Sequence, residues 1–83
     1  MTEDQITAEV KQIIGAVIKK DPAKLALEAN LFTDLGIDSL LGVEILASLD
    51  RKYHLDIPED SLTDVETVQD MVNLARRFYK PAV

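Results

Sequence analysis

Three stretches of the chain repeat their apolar residues every three or four positions, and no stretch of useful length alternates them. That pattern predicts helices and leaves no material for a sheet. In the first stretch Ile6, Val10, Ile13, Ile14 and Val17 share one face, giving an amphipathic helix over residues 4–18. Lys19 and Lys20 suit its C-terminal end, and Asp21-Pro22 stops it. In the second, Gly42, Ile45, Leu46, Leu49 and Tyr53 follow i, i+3, i+4, i+7 and i+11 spacing, which predicts a helix from Ser39 to Lys52 with Asp38 as its N-cap. In the third, Val68, Met71, Val72, Ala75 and Phe78 or Tyr79 face inward from a helix over residues 68–79. Thr67 and Asp70 stand at capping-box spacing before it, and Arg76, Arg77 and Lys80 suit its end.

Between the first two helices, residues 21–37 have no sustained period and are read as a long loop. Leu25, Leu27, Leu31, Phe32 and Leu35 would pin it to the core. Glu59 to Leu62 is read as a single short turn. The expected architecture is all-α, a four-helix bundle with three main helices and one short one, in a single domain over residues 1–83.

Composition narrows the function classes. Residues 28–70 hold eleven carboxylates against Arg51 and Lys52, a net −9, while the rest of the chain sums to +3. Such a surface repels phosphate backbones, so nucleic acid is excluded as an expected partner and proteins with basic patches are favoured. There is no cysteine and one histidine, which leaves no disulfide framework and no expected metal centre. No apolar run approaches the roughly 20 residues of a membrane span, and the N-terminus is acidic, so a cytoplasmic location is expected. No nucleophile–base pair or nucleotide loop points to an enzyme. His54 is expected on the surface near the end of the second helix.

One helix carries more apolar surface than a core face needs. Leu40, Leu41, Val43 and Ala47 are left over on the second helix once Gly42, Ile45, Leu46, Leu49 and Tyr53 face the core. At its start stands Ser39, where several backbone N–H groups have no partner within the helix. Such donors and the positive end of the helix dipole favour an anion. Gly42, one turn below Ser39, costs about 1 kcal/mol relative to alanine in a helix interior. Either it leaves room for a ligand chain beside Ile45 and Leu46, or it allows close packing against the loop.

The ordered set Leu35-Gly36-x-Asp38-Ser39-Leu40, Val43-Glu44, Ile57-Pro58 and Thr67-Val68 resembles the acyl carrier protein family across nearly the whole chain. The resemblance implies that Ser39, between Asp38 and Leu40, receives 4′-phosphopantetheine from coenzyme A, and that the thiol of that arm carries acyl groups as thioesters. It implies a non-catalytic carrier, modified by a phosphopantetheinyl transferase whose magnesium Asp38 helps to hold. It also implies that the second helix docks acyl-loading and acyl-processing enzymes, through Leu40, Leu41, Val43 and Ala47 with Glu44 and Asp50 flanking them. The chain departs from fatty-acid carriers in having Leu41 where they usually have an acid, and Arg51-Lys52 after Asp50. The resemblance implies service to fatty-acid or polyketide-type synthesis, and these departures point to a specialised polyketide-type or dedicated acyl pathway, with a discrete, monomeric carrier expected. Two other readings stand beside it: a discrete aminoacyl or peptidyl carrier, and an unmodified helical interaction module with the carrier fold.

Overall fold

The computed structural model describes residues 3–79. Three α-helices form the frame: α1 (Glu3–Ile18), α2 (Ser39–Tyr53) and α3 (Val68–Phe78). Two 3₁₀ turns lie in the connections, Pro22–Lys24 and Glu59–Asp64. Among the described residues there is no strand, only an isolated bridge between Asn30 and Thr67. The expected all-α bundle is therefore found, with the fourth, short helix as the Glu59–Asp64 turn, two residues longer than expected.

The three predicted stripes form the centre of one core. Ile6, Val10 and Ile14 of α1 meet Ile45, Leu46 and Leu49 of α2 and Val68, Met71, Val72 and Ala75 of α3, all buried. Each large side chain of this kind stabilises the fold by about 1.5–3 kcal/mol when fully withdrawn from water. Ile13 and Val17 are only partly buried, at the margin facing α2. Leu74 joins the core although it falls outside the predicted stripe, because α3 is covered on more than one side.

α1 stops earlier than Asp21-Pro22 would require. Lys19 adopts the left-handed conformation (φ 60°), and the Lys20 N–H donates to the Gly15 carbonyl at 2.9 Å. This is the six-to-one bond of a Schellman ending. It folds the Lys20 carbonyl so close that a Cβ on Gly15 would stand 2.6 Å from it, which is why glycine is required there. Both lysines thus lie beyond the last helical turn.

The 21–37 connection is more built than a plain loop. Asp21 caps the Pro22–Lys24 turn by accepting from the Ala23 N–H at 3.0 Å. Asn30 accepts from the Phe32 and Thr33 N–H groups at 2.9 Å each, and Asp34 accepts from the Asn30 N–H at 2.8 Å. Leu25 and Leu31 are buried as expected, Leu27, Phe32 and Leu35 are partly buried, and Ile37 is a further buried anchor. The segment is also bonded directly to the start of α3. Gln69 N–H donates to Leu27 O (2.8 Å), Val68 N–H to Ala29 O (3.0 Å), and Leu31 N–H to Glu66 O (2.8 Å). With Ile37 buried and its N–H held by Leu31 O at 2.9 Å, the chain enters α2 from a fixed point. Of the basic residues expected at the end of α3, Arg76 and Arg77 occupy its last turn and Lys80 lies outside the described residues.

Candidate functional site

The start of α2 is capped but not closed. Asp38 has extended backbone (φ −96°, ψ −179°), its carboxylate accepts from the Leu41 N–H at 2.8 Å, and its carbonyl accepts from Gly42 N–H at 2.9 Å. Ser39 is the first helical residue and is exposed. Among the described residues, the N–H groups of Ser39 and Leu40 have no protein acceptor. No acidic side chain lies in this first turn. An exposed hydroxyl therefore sits beside two unused donors at the positive end of a 15-residue helix.

α2 presents two flanks, and they divide the expected docking residues. Leu41, Glu44 and Ser48 face α1 and, with Ile13, Ala16 and Val17, line an open groove of about 360 Å³. Val43, Leu46, Ala47 and Asp50 face the other way and, with Ile57 and Glu59, line a groove of about 170 Å³. Leu40 stands free near the helix start with 76% of its surface exposed. Leu40, Val43 and Ala47 thus lie together as the spacing predicts, while Leu41 belongs to the opposite flank and packs partly against the core. The α1 residues and Ile57 were not among the expected site residues. Their apolar character was visible in the sequence, but which flank of α2 they approach depends on how the helices cross.

The two flanking acids are already engaged. Glu44 pairs with Arg51 at 3.5 Å, both side chains well exposed, and Arg51 also donates to Ser48 Oγ at 3.2 Å. Asp50 accepts from the Asp56 N–H at 2.8 Å, which holds the turn after α2. In that turn His54 and Asp56 both take left-handed backbone (φ 56°), and the His54 N–H donates to Asp50 O at 2.7 Å. His54 is exposed, as expected.

The residues expected to line an acyl-chain space share a buried face of α2. Gly42, Ile45 and Leu46 are buried, and a Cβ on Gly42 would lie 3.2 Å from both methyls of Leu62. The missing side chain is matched by Leu62 from the Glu59–Asp64 turn. At the far end of α2, Ile6, Glu9, Tyr53 and Tyr79 line a void of about 10 Å³. There Lys52 Nζ donates to Glu9 Oε2 at 2.6 Å, which holds the Glu9 carboxyl below its usual value, and burial raises the Tyr53 phenol.

Residues 8–75 match the family model described as "Phosphopantetheine attachment site". The chain is 33% identical over 73 residues to an acyl carrier protein of Thermosynechococcus vestitus, covering 88% of this chain and 90% of that one. It is 35% identical over 71 residues to an acyl carrier protein of Rhodococcus erythropolis, covering 86% and 78%. The chain belongs to the acyl carrier protein family. Membership implies a 4′-phosphopantetheine prosthetic group. The solution structure of the apo doublet acyl carrier protein from prodigiosin biosynthesis superposes with a TM-score of 0.76 at 26% identity. It covers 89% of this chain, which spans 36% of the doublet. Acyl carrier proteins are generally non-catalytic. A phosphopantetheinyl transferase modifies them, and acyl-processing enzymes bind them. Among the described residues no helix is long and apolar enough to cross a membrane, and no group of three or more His, Cys, Asp or Glu side chains is placed to hold a metal.

Proposed function

We propose that Ser39 is the attachment point for 4′-phosphopantetheine, in a single carrier domain over residues 1–83. The observation that carries this reading is the open start of α2: an exposed Ser39 hydroxyl beside the unused N–H groups of Ser39 and Leu40. These donors and the helix dipole suit a phosphodiester and would orient it. The group's terminal thiol supplies a thioester to the acyl cargo. Asp38 keeps one carboxylate oxygen on the Leu41 N–H and leaves the other for the transferase's magnesium. In the transfer, the Ser39 Oγ–P bond forms as the pyrophosphate P–O bond of coenzyme A breaks; 3′,5′-adenosine diphosphate leaves with the bridging oxygen, and the hydroxyl proton passes to a base supplied by the transferase.

Intact mass tests this directly, with a broad-specificity transferase, magnesium and coenzyme A. Wild type, Ser48→Ala and Ser61→Ala should each gain one phosphopantetheine, and Ser39→Ala should gain none. Folded wild type that gains nothing would overturn the reading and favour an unmodified interaction module.

Leu40, Val43 and Ala47 form the docking surface in this reading, with partners that carry basic patches. Three observations favour a specialised polyketide-type or dedicated acyl pathway over housekeeping fatty-acid synthesis. Leu41 puts an apolar wall where an acid is usual, and Arg51 neutralises Glu44. The relative from prodigiosin biosynthesis shares the fold at 26% identity. A binding panel decides it: general fatty-acid synthase enzymes should bind more weakly than they bind the host's main carrier, and equal affinity would sink the assignment.

A further inference from the structure

The flank of α2 that faces α1 carries a charge pattern that complements itself. Glu44, Ser48 and Arg51 stand on it together. Arg51 Nη2 lies 3.5 Å from Glu44 Oε1 and donates to Ser48 Oγ at 3.2 Å. Beside them Ile13, Ala16, Val17 and Leu41 wall the open groove of about 360 Å³. Ala16 is exposed, and Ile13, Val17 and Leu41 are only partly buried. Glu44 and Arg51 are two helical turns apart, beyond the three- or four-residue spacing that makes side chains neighbours on a helix. Both must therefore stretch along the helix axis to meet, and both remain well exposed. Such a pair contributes little stability, so either partner can be exchanged at small cost.

A second copy of α2, laid antiparallel across this flank about a two-fold axis near Ser48, offers that exchange. Its Arg51 falls over Glu44 and its Glu44 over Arg51. The aliphatic stem of each Arg51 then lies on the apolar wall of the other copy's groove while its head stays in water. Two internal pairs become two intermolecular ones, and burial of the wall decides the balance. Against it stands the net −6 of each chain, screened over about 8 Å at physiological salt. We propose that this chain self-associates weakly through the α1–α2 flank, as an antiparallel two-fold pair joined by Glu44 and Arg51. A small interface between like-charged chains gives a dissociation constant on the order of 0.1–1 mM. Val43 and Asp50 line the opposite groove, so each paired copy keeps that flank open to other proteins.

Sedimentation equilibrium of the unmodified chain tests this without involving Ser39. The average mass of wild type should rise from monomer at about 20 μM toward dimer at about 2 mM. Glu44→Arg makes the flank wholly basic and Arg51→Glu makes it wholly acidic, so each alone should weaken association by at least about tenfold. An equal mixture of the two variants should pair at least as tightly as wild type, because every contact again joins opposite charges. Recovery in the mixture also shows that both variants are folded. A mixture of variants, helical by circular dichroism, that pairs no better than either alone would overturn the proposal. So would wild type that stays monomeric to about 2 mM, which would leave the groove to a different protein. In a concentration series the amide resonances of Ile13, Val17 and Leu41 should move and those of Val43 and Ile57 stay in place. Movement confined to Val43 and Ile57 would put the contact on the other flank and overturn it.

Discussion

The starts of α2 and α3 are capped by the same kind of chemistry and left in opposite states. At α3, Thr67 accepts from Asp70 N–H, and Asp70 accepts in return from the N–H groups of Thr67 and Glu66. The next donors are taken by the loop, Val68 by Ala29 and Gln69 by Leu27. Every N–H of that first turn has a partner. At α2, Asp38 takes one donor with its side chain, and the N–H groups of Ser39 and Leu40 take none among the described residues. A helix start that only has to be stable uses up its donors. One whose first N–H groups face outward keeps donors that an anion can use, as the proposed attachment at Ser39 requires.

The largest effect that sharpens this contrast is on stability. Asp70→Ala removes the acceptor of two backbone N–H groups and should cost about 2 kcal/mol, against about 1 kcal/mol for Asp38→Ala. Urea unfolding monitored by circular dichroism measures both, and an equal or larger loss at Asp38 breaks the comparison. A smaller effect appears in acid. The N–H groups of Glu66 and Thr67 hold the Asp70 carboxyl below its ordinary value. The unfolded chain therefore binds the proton more readily, so this stabilisation is complete above the unfolded carboxylate pKa and is lost as pH falls through the lower folded value. The stability gap between wild type and Asp70→Asn should be constant near neutrality and narrow as pH falls through and below the ordinary carboxylate range. A gap that holds to the bottom of that range would mean the charge of Asp70 contributes nothing. The smallest effect is weak anion binding. Titrating unmodified protein with inorganic phosphate should move the Ser39 and Leu40 amide resonances and leave Val68 and Gln69 in place. Movement at both helix starts would remove the distinction.

Most of the frame was legible because it is written in local periodicity. The stripes Ile6–Val10–Ile14 and Ile45–Leu46–Leu49 needed only spacing, and Asp38 and Thr67–Asp70 announced their helices by residue type. Ser39 drew attention as the first residue of a helix apolar on more than one side, but its role came only from the family resemblance carried by the ordered motifs. What escaped depends on contacts across the chain. The bonds from Leu27, Ala29 and Leu31 to the start of α3 run between backbone groups and carry no side-chain signature. Leu62 over Gly42 requires knowing which turn folds beneath α2, so the glycine alone left two readings open. Leu41 was grouped with Leu40 as spare apolar surface, and only the direction of α1 separates the two.

The stitching of residues 27–31 to residues 66–69 has a consequence for how the molecule breathes. It ties two distant stretches into one cooperative unit, so the loop cannot lift away without uncapping α3. In hydrogen exchange the amides of Leu31, Val68 and Gln69 should open together and slowly. Within the chain between them, the Glu59–Asp64 turn buries none of its residues, so it can open at lower cost than the helices on either side.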